Sequence, residues 1–268
     1  MYKIDNDKML NYFQSNEEIK FFDDCCDILF EDETKVEFYT MEENKPDSEF
    51  IKLLTDSDVL KVYINTKSVN LIESACKKIL EINKLELTEI CLPDIDLQII
   101  DIIRKYFSIS DICNCEWGIY ALLSNEKLPP LNIPHNVEIA VASYEQIELI
   151  KNFDNDEWEF LPKRLNNIRQ SDLLILLYKN NSLAGYLDAV RHYKNYYNIR
   201  NIFVHENFRG NNFGSLMTIY YANYCINNGF IPHYGAAMSK HSENAAIKSG
   251  FEETKHYYFF SIQKEVIS

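Results

Sequence analysis

The stretch HENFRGNNFGSLM, residues 205–217, holds two of the chain's seven glycines, Gly210 and Gly214, four positions apart behind Arg209. Tyr196–Val204 precedes it, rich in aromatic and β-branched residues, and reads as a strand. Ser215–Asn228 follows and reads as a helix, with Leu216, Ile219, Tyr220 and Ile226 on its apolar side and Gly229 as a left-handed cap. A helix N-terminus leaves backbone N–H groups unpaired and carries the positive end of the macrodipole. An anion can accept those bonds only by approaching the main chain closely, where a Cβ would obstruct it. Glycine removes the Cβ and opens φ > 0. The junction therefore reads as an anion cradle ahead of a helix. It lacks the lysine of a GK[ST] phosphate loop and does not match G-x-G-x-x-G, so the loop alone leaves a tight turn without a ligand open.

The flanking segments alternate regularly. Val137–Ala142 reads as a strand, Tyr144–Phe153 and roughly Glu157–Ile168 as helices, and the apolar run Leu173–Tyr178 as a buried strand. Lys179-Asn180-Asn181-Ser182 is a turn, and Leu183–His192 returns as the second arm of an antiparallel hairpin. His233–Met238 is a strand, Ser242–Ser249 a short helix closed by Gly250, and Phe251–Ile262 the last strand region. Strands 196–204 and 233–238 are expected to lie parallel, joined by the crossover helix. Tyr197 and Ile199 keep one alternation phase and Ile202 and Val204 the other, a slip that predicts a bulge near Arg200-Asn201.

At 268 residues the chain is nearer two domains than one. The segment Asn125–Pro134 holds three of the seven prolines and reads as a linker, since proline stiffens the chain and removes donors. This divides the chain into an acidic domain of residues 1–127, a Pro-rich linker of residues 128–135 and a second domain of residues 136–268. The charge follows the division: of the net −14, residues 1–135 carry −13 (14 basic against 27 acidic), and residues 136–268 carry −1 (13 against 14). Acidity argues against nucleic acid as a partner. The longest wholly apolar stretch is far below the ~18 residues of a membrane span, and the polar N-terminus lacks a signal core, so a cytoplasmic location is expected. The seven cysteines show no zinc spacing and read as reduced, mostly buried thiols, with no metal expected.

Within the loop Arg209, Gly210, Asn211, Asn212, Phe213 and Gly214 resemble the R/Q-x-x-G-x-G/A pattern of the GNAT superfamily of acetyl-CoA-dependent N-acetyltransferases, with Asn212 at the middle glycine position. Asn is the non-glycine residue best suited to φ > 0. Downstream, SKHSENAAIKSGF (residues 239–251) is similar to the family ending N-x-x-S-x-x-x-A-x-K-x-G-F: Ser242, Ala246, Lys248, Gly250 and Phe251 match, and Ser239 replaces the Asn. The resemblance covers about residues 136–262, and the arrangement looks most like the zwittermicin-resistance type. It implies an α/β (α+β) fold with a mixed sheet flanked by helices, preceded by a smaller α/β domain.

The resemblance also implies chemistry. Acetyl-CoA would lie where two parallel strands splay apart, its pyrophosphate on the backbone of Arg209–Ser215 and its pantetheine along Ile202 and Val204. An amine, expected to be a small molecule, would attack the thioester directly. The family's thiolate-protonating tyrosine falls on Ala246, and its strand glutamate is replaced by Asn198, Arg200 and Asn201, so neither catalytic residue carries over. Asp188, a carboxylate among apolar neighbours, and Tyr234 are the remaining candidates. The acceptor side falls on NFDNDEWEF, where Asp156 and Glu157 beside Trp158 suit a cationic amine. The missing residues keep alternatives in play: a non-catalytic acyl-CoA sensor, or acylation of a protein amine.

Residues 58–122 repeat the later order: strand Val59–Asn65, helix Ser68–Ile82, strand Leu87–Cys91, helix Asp94–Phe107, strand Ile112–Leu122. This reads as a degenerate half of the same fold. Its loop, Thr66-Lys67-Ser68, has no glycine, so no CoA site is expected there.

Overall fold

The computed structural model describes residues 1–16, 18, 24, 28, 35–43, 45–56, 59–82, 87–93, 96–109, 115–143, 145–147, 172–191 and 195–263. In chain order the strands are β1 (Tyr2–Ile4), β2 (Lys35–Thr40), β3 (Phe50–Asp56), β4 (Val59–Asn65), β5 (Leu87–Leu92), β6 (Ser108–Ile109), β7 (Cys115–Ala121), β8 (Val137–Val141), β9 (Leu173–Lys179), β10 (Ser182–Arg191), β11 (Tyr196–Val204), β12 (Ile231–Ala237) and β13 (Glu252–Gln263). The helices are α1 (Asn6–Ser15), α2 (Val69–Glu81), α3 (Leu97–Arg104), α4 (Phe213–Asn227) and α5 (Lys240–Lys248). Two compact units result, one of Met1–Gly118 with Thr254–Ser268, the other of Ile119–Glu253.

The first unit orders its strands β1-β2-β3-β4-β5-β13. Every one of these pairings is antiparallel except β4–β5, whose parallel arms are joined through α2. Leu71, Ile72, Ala75, Cys76 and Ile79 of α2 and Ile99, Ile100, Ile102 and Ile103 of α3 pack onto the sheet face carrying Ile51, Leu53, Val62, Ile64 and Ile90. On the other face Lys52, 3% exposed, pairs with Asp24 at 2.7 Å, and its ammonium lies 4.1 Å from the centre of the Tyr63 ring. Lys255 of β13 pairs with the same Asp24 carboxylate. Phe251–Ile262 was expected to complete the second domain; instead Tyr258–Ile262 registers antiparallel on β5 of the first unit. Local pattern makes a strand, but its partner is chosen by pairing distant in sequence.

The second unit orders its strands β12-β11-β10-β9-β8, with β11–β12 parallel and the rest antiparallel. The expected hairpin forms: Asn180 and Asn181 take φ 50° and 63°, the two positive values that a tight primed turn requires. The expected bulge forms too. Asp188 opposes Asn201 and Ala189 opposes Ile199, so Arg200 is the extra residue. Helix α4 begins at Phe213 rather than Ser215, and it buries Phe213, Met217, Thr218, Tyr221, Ala222 and Cys225. The face expected to be buried, with Leu216, Tyr220 and Ile226, packs only partly against this core. The helix is apolar nearly all round, so its sequence pattern does not single out the inner face.

The linker docks on this unit. Asn125–Lys127 form a short 3₁₀ turn, Lys127 pairs with Glu252, and a Cβ at Gly250 would stand 2.3 Å from the Lys127 carbonyl oxygen. With φ +84° as well, position 250 admits only glycine without a shift. Helices expected over 144–153 and 157–168 fall mostly outside the described residues; 145–147 are helical. Cys76, Cys91 and Cys225 are buried free thiols, and burial pushes the first and last up to about 12, which makes them poor nucleophiles.

Candidate active site

β11 and β12 register from Tyr196↔Ile231 to Asn198↔His233, and there the pairing stops. Beyond it opens a cleft of about 750 Å³. Its walls are the outer half of β11, the loop and first turn of α4, the end of β12 and the first turns of α5.

The loop is shaped by two left-handed residues. Gly210 has φ +81°, and a Cβ there would meet nothing within 4 Å, so its glycine answers to backbone conformation rather than space. Asn212 has φ 60° and ψ 22°, the left-handed conformation expected of it at the middle glycine position, and it is the N-cap of α4. Its side chain makes no capping bond, which leaves the first N–H groups of α4 to other acceptors. Gly214 lies inside the helix with no positive φ, contrary to expectation. A Cβ there would sit 3.8 Å from Ala245 Cβ and 3.9 Å from Ile202 Cγ2, ordinary contact distances on the cleft wall. Basic groups gather at this end. Lys248 Nζ donates to Asn212 Oδ1 at 3.4 Å, and Lys179 Nζ donates to Asn211 Oδ1 at 3.4 Å.

Ile202, Val204, Arg209, Gly210, Asn212, Phe213, Gly214, Ser215 and Tyr234 all line the cleft. Asn211 does not; its side chain donates to the Phe208 and Arg209 carbonyls at 3.0 and 3.3 Å and braces the loop from outside. Arg209 Nε donates to the Val204 carbonyl at 3.1 Å, so the guanidinium folds the loop back onto the strand and already occupies that oxygen. Phe213 is mostly core, 4% exposed.

Asp188 is buried at 4% exposure beside the bulge, opposite Asn201 and Leu174, and is not among the residues lining the cleft. Asn201 does line it, and its Nδ2 donates to the Tyr186 hydroxyl at 2.8 Å. Tyr234 is 2% exposed, and its hydroxyl donates to the Ser242 carbonyl at 2.9 Å and lies 3.0 Å from Ser242 Oγ. Burial pushes its phenol up to about 12 although the Ser242 bond pulls it down. At neutral pH it is therefore protonated, a donor and not a base. Ala246 is fully buried in the core beside Tyr234 and Phe251, so the position matching the family's tyrosine does not reach the cleft. Asp156, Glu157 and Trp158 lie outside the described residues.

The cleft also uses residues not singled out from sequence: Met238, His241 and Asn244 beside Ser242 and Lys248. The last two stood in the Gly-Phe ending and carried a signal; Met238 carried none. Among the described residues no group of His, Cys, Asp and Glu has the arrangement of a metal site, and no helix is long and apolar enough to cross a membrane.

This architecture is the GNAT fold: a mixed sheet flanked by helices, with a cleft where parallel strands part ahead of a helix N-terminus. Residues 136–251 match the Acetyltransferase (GNAT) family, and that match with the fold supports acyl transfer as the class of chemistry. Comparison with curated proteins found no match in sequence. Among solved structures, an acetyltransferase from the GNAT family of Colwellia psychrerythraea is similar over 95% of this chain and 97% of its own, at 13% identity and TM-score 0.57. A GCN5-related N-acetyltransferase from Kribbella flavida is similar over 81% of this chain and 88% of its own, at 13% identity and TM-score 0.52. A tandem GNAT protein from the clavulanic acid biosynthesis pathway is similar over 95% and 94%, at 12% identity and TM-score 0.51.

Proposed function

We propose that the chain is an acetyl-CoA-dependent N-acetyltransferase acting on the amine of a small molecule, with no metal and in the cytoplasm. The observation that carries this reading is the uncapped N-terminus of α4 opening into the cleft beside the parted strand β11. The first N–H groups of α4 and the turn at Gly210 would accept a diphosphate, with Lys248 adding positive charge. The strand edge at Ile202 would pair with the pantetheine amides, while the Val204 carbonyl keeps its bond from Arg209. Bound acetyl-CoA supplies the thioester. The neutral amine attacks its carbonyl carbon, the C–N bond forms, the C–S bond breaks, and the amine's proton leaves as the thiolate gains one. Tyr234 and Ser242 are the paired hydroxyls on the wall where that thiolate would emerge. The first unit would bind no CoA, and the zwittermicin-resistance-like type remains the subfamily reading.

Thiol release with acetyl-CoA across an amine panel tests this. Turnover with one amine class supports it. Tight CoA binding with no turnover on small amines or peptides would instead favour an acyl-CoA sensor, the reading that the buried Ala246 favours.

A further inference from the structure

Arg200 is the residue that the β10–β11 ladder leaves over. Asp188 pairs with Asn201 and Ala189 with Ile199, and the parallel pairing with β12 has already ended at Asn198. Arg200 therefore has no register partner on either neighbouring strand, and a bulge of this kind re-aims a side chain. It is exposed and lines the cleft, whereas Asp188 across the ladder does not line it. Among the described residues, the lysines and arginines on the cleft wall are Arg200, Arg209 and Lys248. The last two stand with the anion loop, through Val204 and Asn212. Arg200 stands four residues up β11 from Val204, about 13 Å at the rise of an extended chain.

The inserted residue also moves its neighbour. Ile199 and Ile202 pack with the core under α4, while Asn201 falls with Tyr186 and Phe203, whose rings stack at 5.6 Å between centres. Tyr186 is fully buried, and Asn201 Nδ2 donates to its hydroxyl at 2.8 Å. That bond orients the amide. It leaves Oδ1 to accept an N–H from the cleft, which Asn201 lines.

We propose that Arg200 and Asn201 form an acceptor subsite for an amine that also carries an oxyanion, a carboxylate or a phosphate. The guanidinium takes the oxyanion, and Asn201 Oδ1 accepts from the amine N–H. The proposal rests on the transferase reading, which puts the cofactor's diphosphate at the loop and its thioester near the end of the β11–β12 pairing. The thioester end carries no charge, so a guanidinium there matches a group on the acceptor. Its five N–H donors in a planar fork suit carboxylate and phosphate oxygens, and they suffice to hold a protein partner as well. An amide oxygen accepts a hydrogen bond but takes no proton, so the amine is held neutral, as attack on the thioester requires.

Matched acceptors test it: amino acids against their amides, amino-sugar phosphates against the free amino sugars, and spermidine as a purely cationic amine. With acetyl-CoA, kcat/KM should favour the anionic member of a carboxylate or phosphate pair by about tenfold or more, and the two kinds of pair tell the oxyanions apart. Arg200→Met should erase that preference by raising KM for the anionic member, with kcat on the neutral member and KM for acetyl-CoA nearly unchanged. Arg200→Lys should keep part of it, as a point charge without the fork. Asn201→Ala should raise KM for both members alike, since both present the amine. Equal kcat/KM within every pair, or a preference for spermidine, would overturn the proposal. So would an Arg200→Met variant whose kcat falls equally on charged and neutral acceptors, because that is the mark of a group acting on transition-state charge. Should no amine turn over, the transferase reading fails, and calorimetry with the same pairs still decides the subsite: an anion preference lost in Arg200→Met supports it, and equal binding sinks it.

Discussion

The molecule contains the same strand–loop–helix–strand order twice, and only one copy opens. In the first unit β4 and β5 pair parallel over five positions, Val59↔Leu87 to Tyr63↔Cys91; in the second β11 and β12 stop after three. The β3–β4 ladder runs unbroken from Phe50↔Asn65 to Asp56↔Val59, whereas β10–β11 slips at Arg200. The loop after β4 closes on itself. The Thr66 hydroxyl accepts from the Ser68 N–H at 3.0 Å and donates to the Glu49 carboxylate at 2.6 Å. The loop after β11 bends through Gly210 and Asn212, both at positive φ, although α2 and α4 alike start without a side-chain cap. A common order of elements therefore does not make a cofactor cleft. The copy that opens adds a bulge, two left-handed residues and a parallel ladder that stops after three pairs.

The units also bury charge differently on corresponding strands, Lys52 on β3 and Asp188 on β10. Lys52 shares Asp24 with Lys255, and removing that carboxylate would leave two ammonium groups without it. Asp24→Asn should destabilise the first unit by about 3–5 kcal/mol, the cost of breaking a buried pair. Burial alone would raise the Asp24 pKa, but Lys255 and Lys52 outweigh it and hold it below 3.8. A carboxylate with a depressed folded pKa adds stability above its unfolded value, and that stability is lost as pH falls through the folded one. Wild-type protein should therefore lose this contribution below about pH 4, and the Asn variant should show no such loss. Denaturant midpoints across pH 2–7 measure it; matching acid limbs in the two proteins would disprove the assignment.

The anion end of the comparison breaks with Gly214→Asp. The site admits a Cβ at contact distance, so the fold should hold, and an acid in a first helical turn is mildly favourable. The carboxylate would sit at the N–H groups assigned to the diphosphate. Coenzyme A affinity should fall about a hundredfold, roughly 2.7 kcal/mol, with little change in Tm. A variant that still binds normally would move the diphosphate elsewhere.

Much of this junction was legible in sequence, for local reasons. β4 and β11 run over the residues expected, because turn residues bound each apolar run. The bulge showed as a phase slip between Ile199 and Ile202, and Asn212 in a glycine position announced its own φ. What failed was non-local. β1, β2 and β3 went unread within the strongly acidic first 57 residues, where Glu37 and Lys52 stand in strands as charges paired by Lys3, Lys35 and Asp24. Tyr221 gave no signal at all, since a tyrosine on an apolar helix looks the same whether or not its hydroxyl bonds the backbone of neighbouring strands.

Asn212 sharpens the comparison at a smaller scale. Alanine there loses the side chain best suited to left-handed backbone and should cost about 1–2 kcal/mol, with coenzyme A affinity reduced about fivefold as the helix start loosens. Glycine keeps the conformation and should leave both stability and affinity near wild type. If alanine and glycine behave alike, the φ 60° geometry has no bearing on binding.

Glu49→Ala carries the smallest effect and asks the sharpest question. It removes the carboxylate that the Thr66 hydroxyl contacts, at a stability cost of about 0.5 kcal/mol for an exposed partner. α2, like α4, starts without a side-chain cap, so if a helix N-terminus with no carboxylate beside its loop were sufficient, calorimetry would find two coenzyme A molecules per chain. The paired backbone of β4 and β5 argues otherwise. A pantetheine arm needs a strand edge, and β4 is paired with β3 from Val59 to Asn65 and with β5 from Val59 to Tyr63, which leaves only Ile64 and Asn65 beyond the parallel ladder. Stoichiometry should stay at one, because opening the loop without parting the strands leaves the cofactor nowhere to lie.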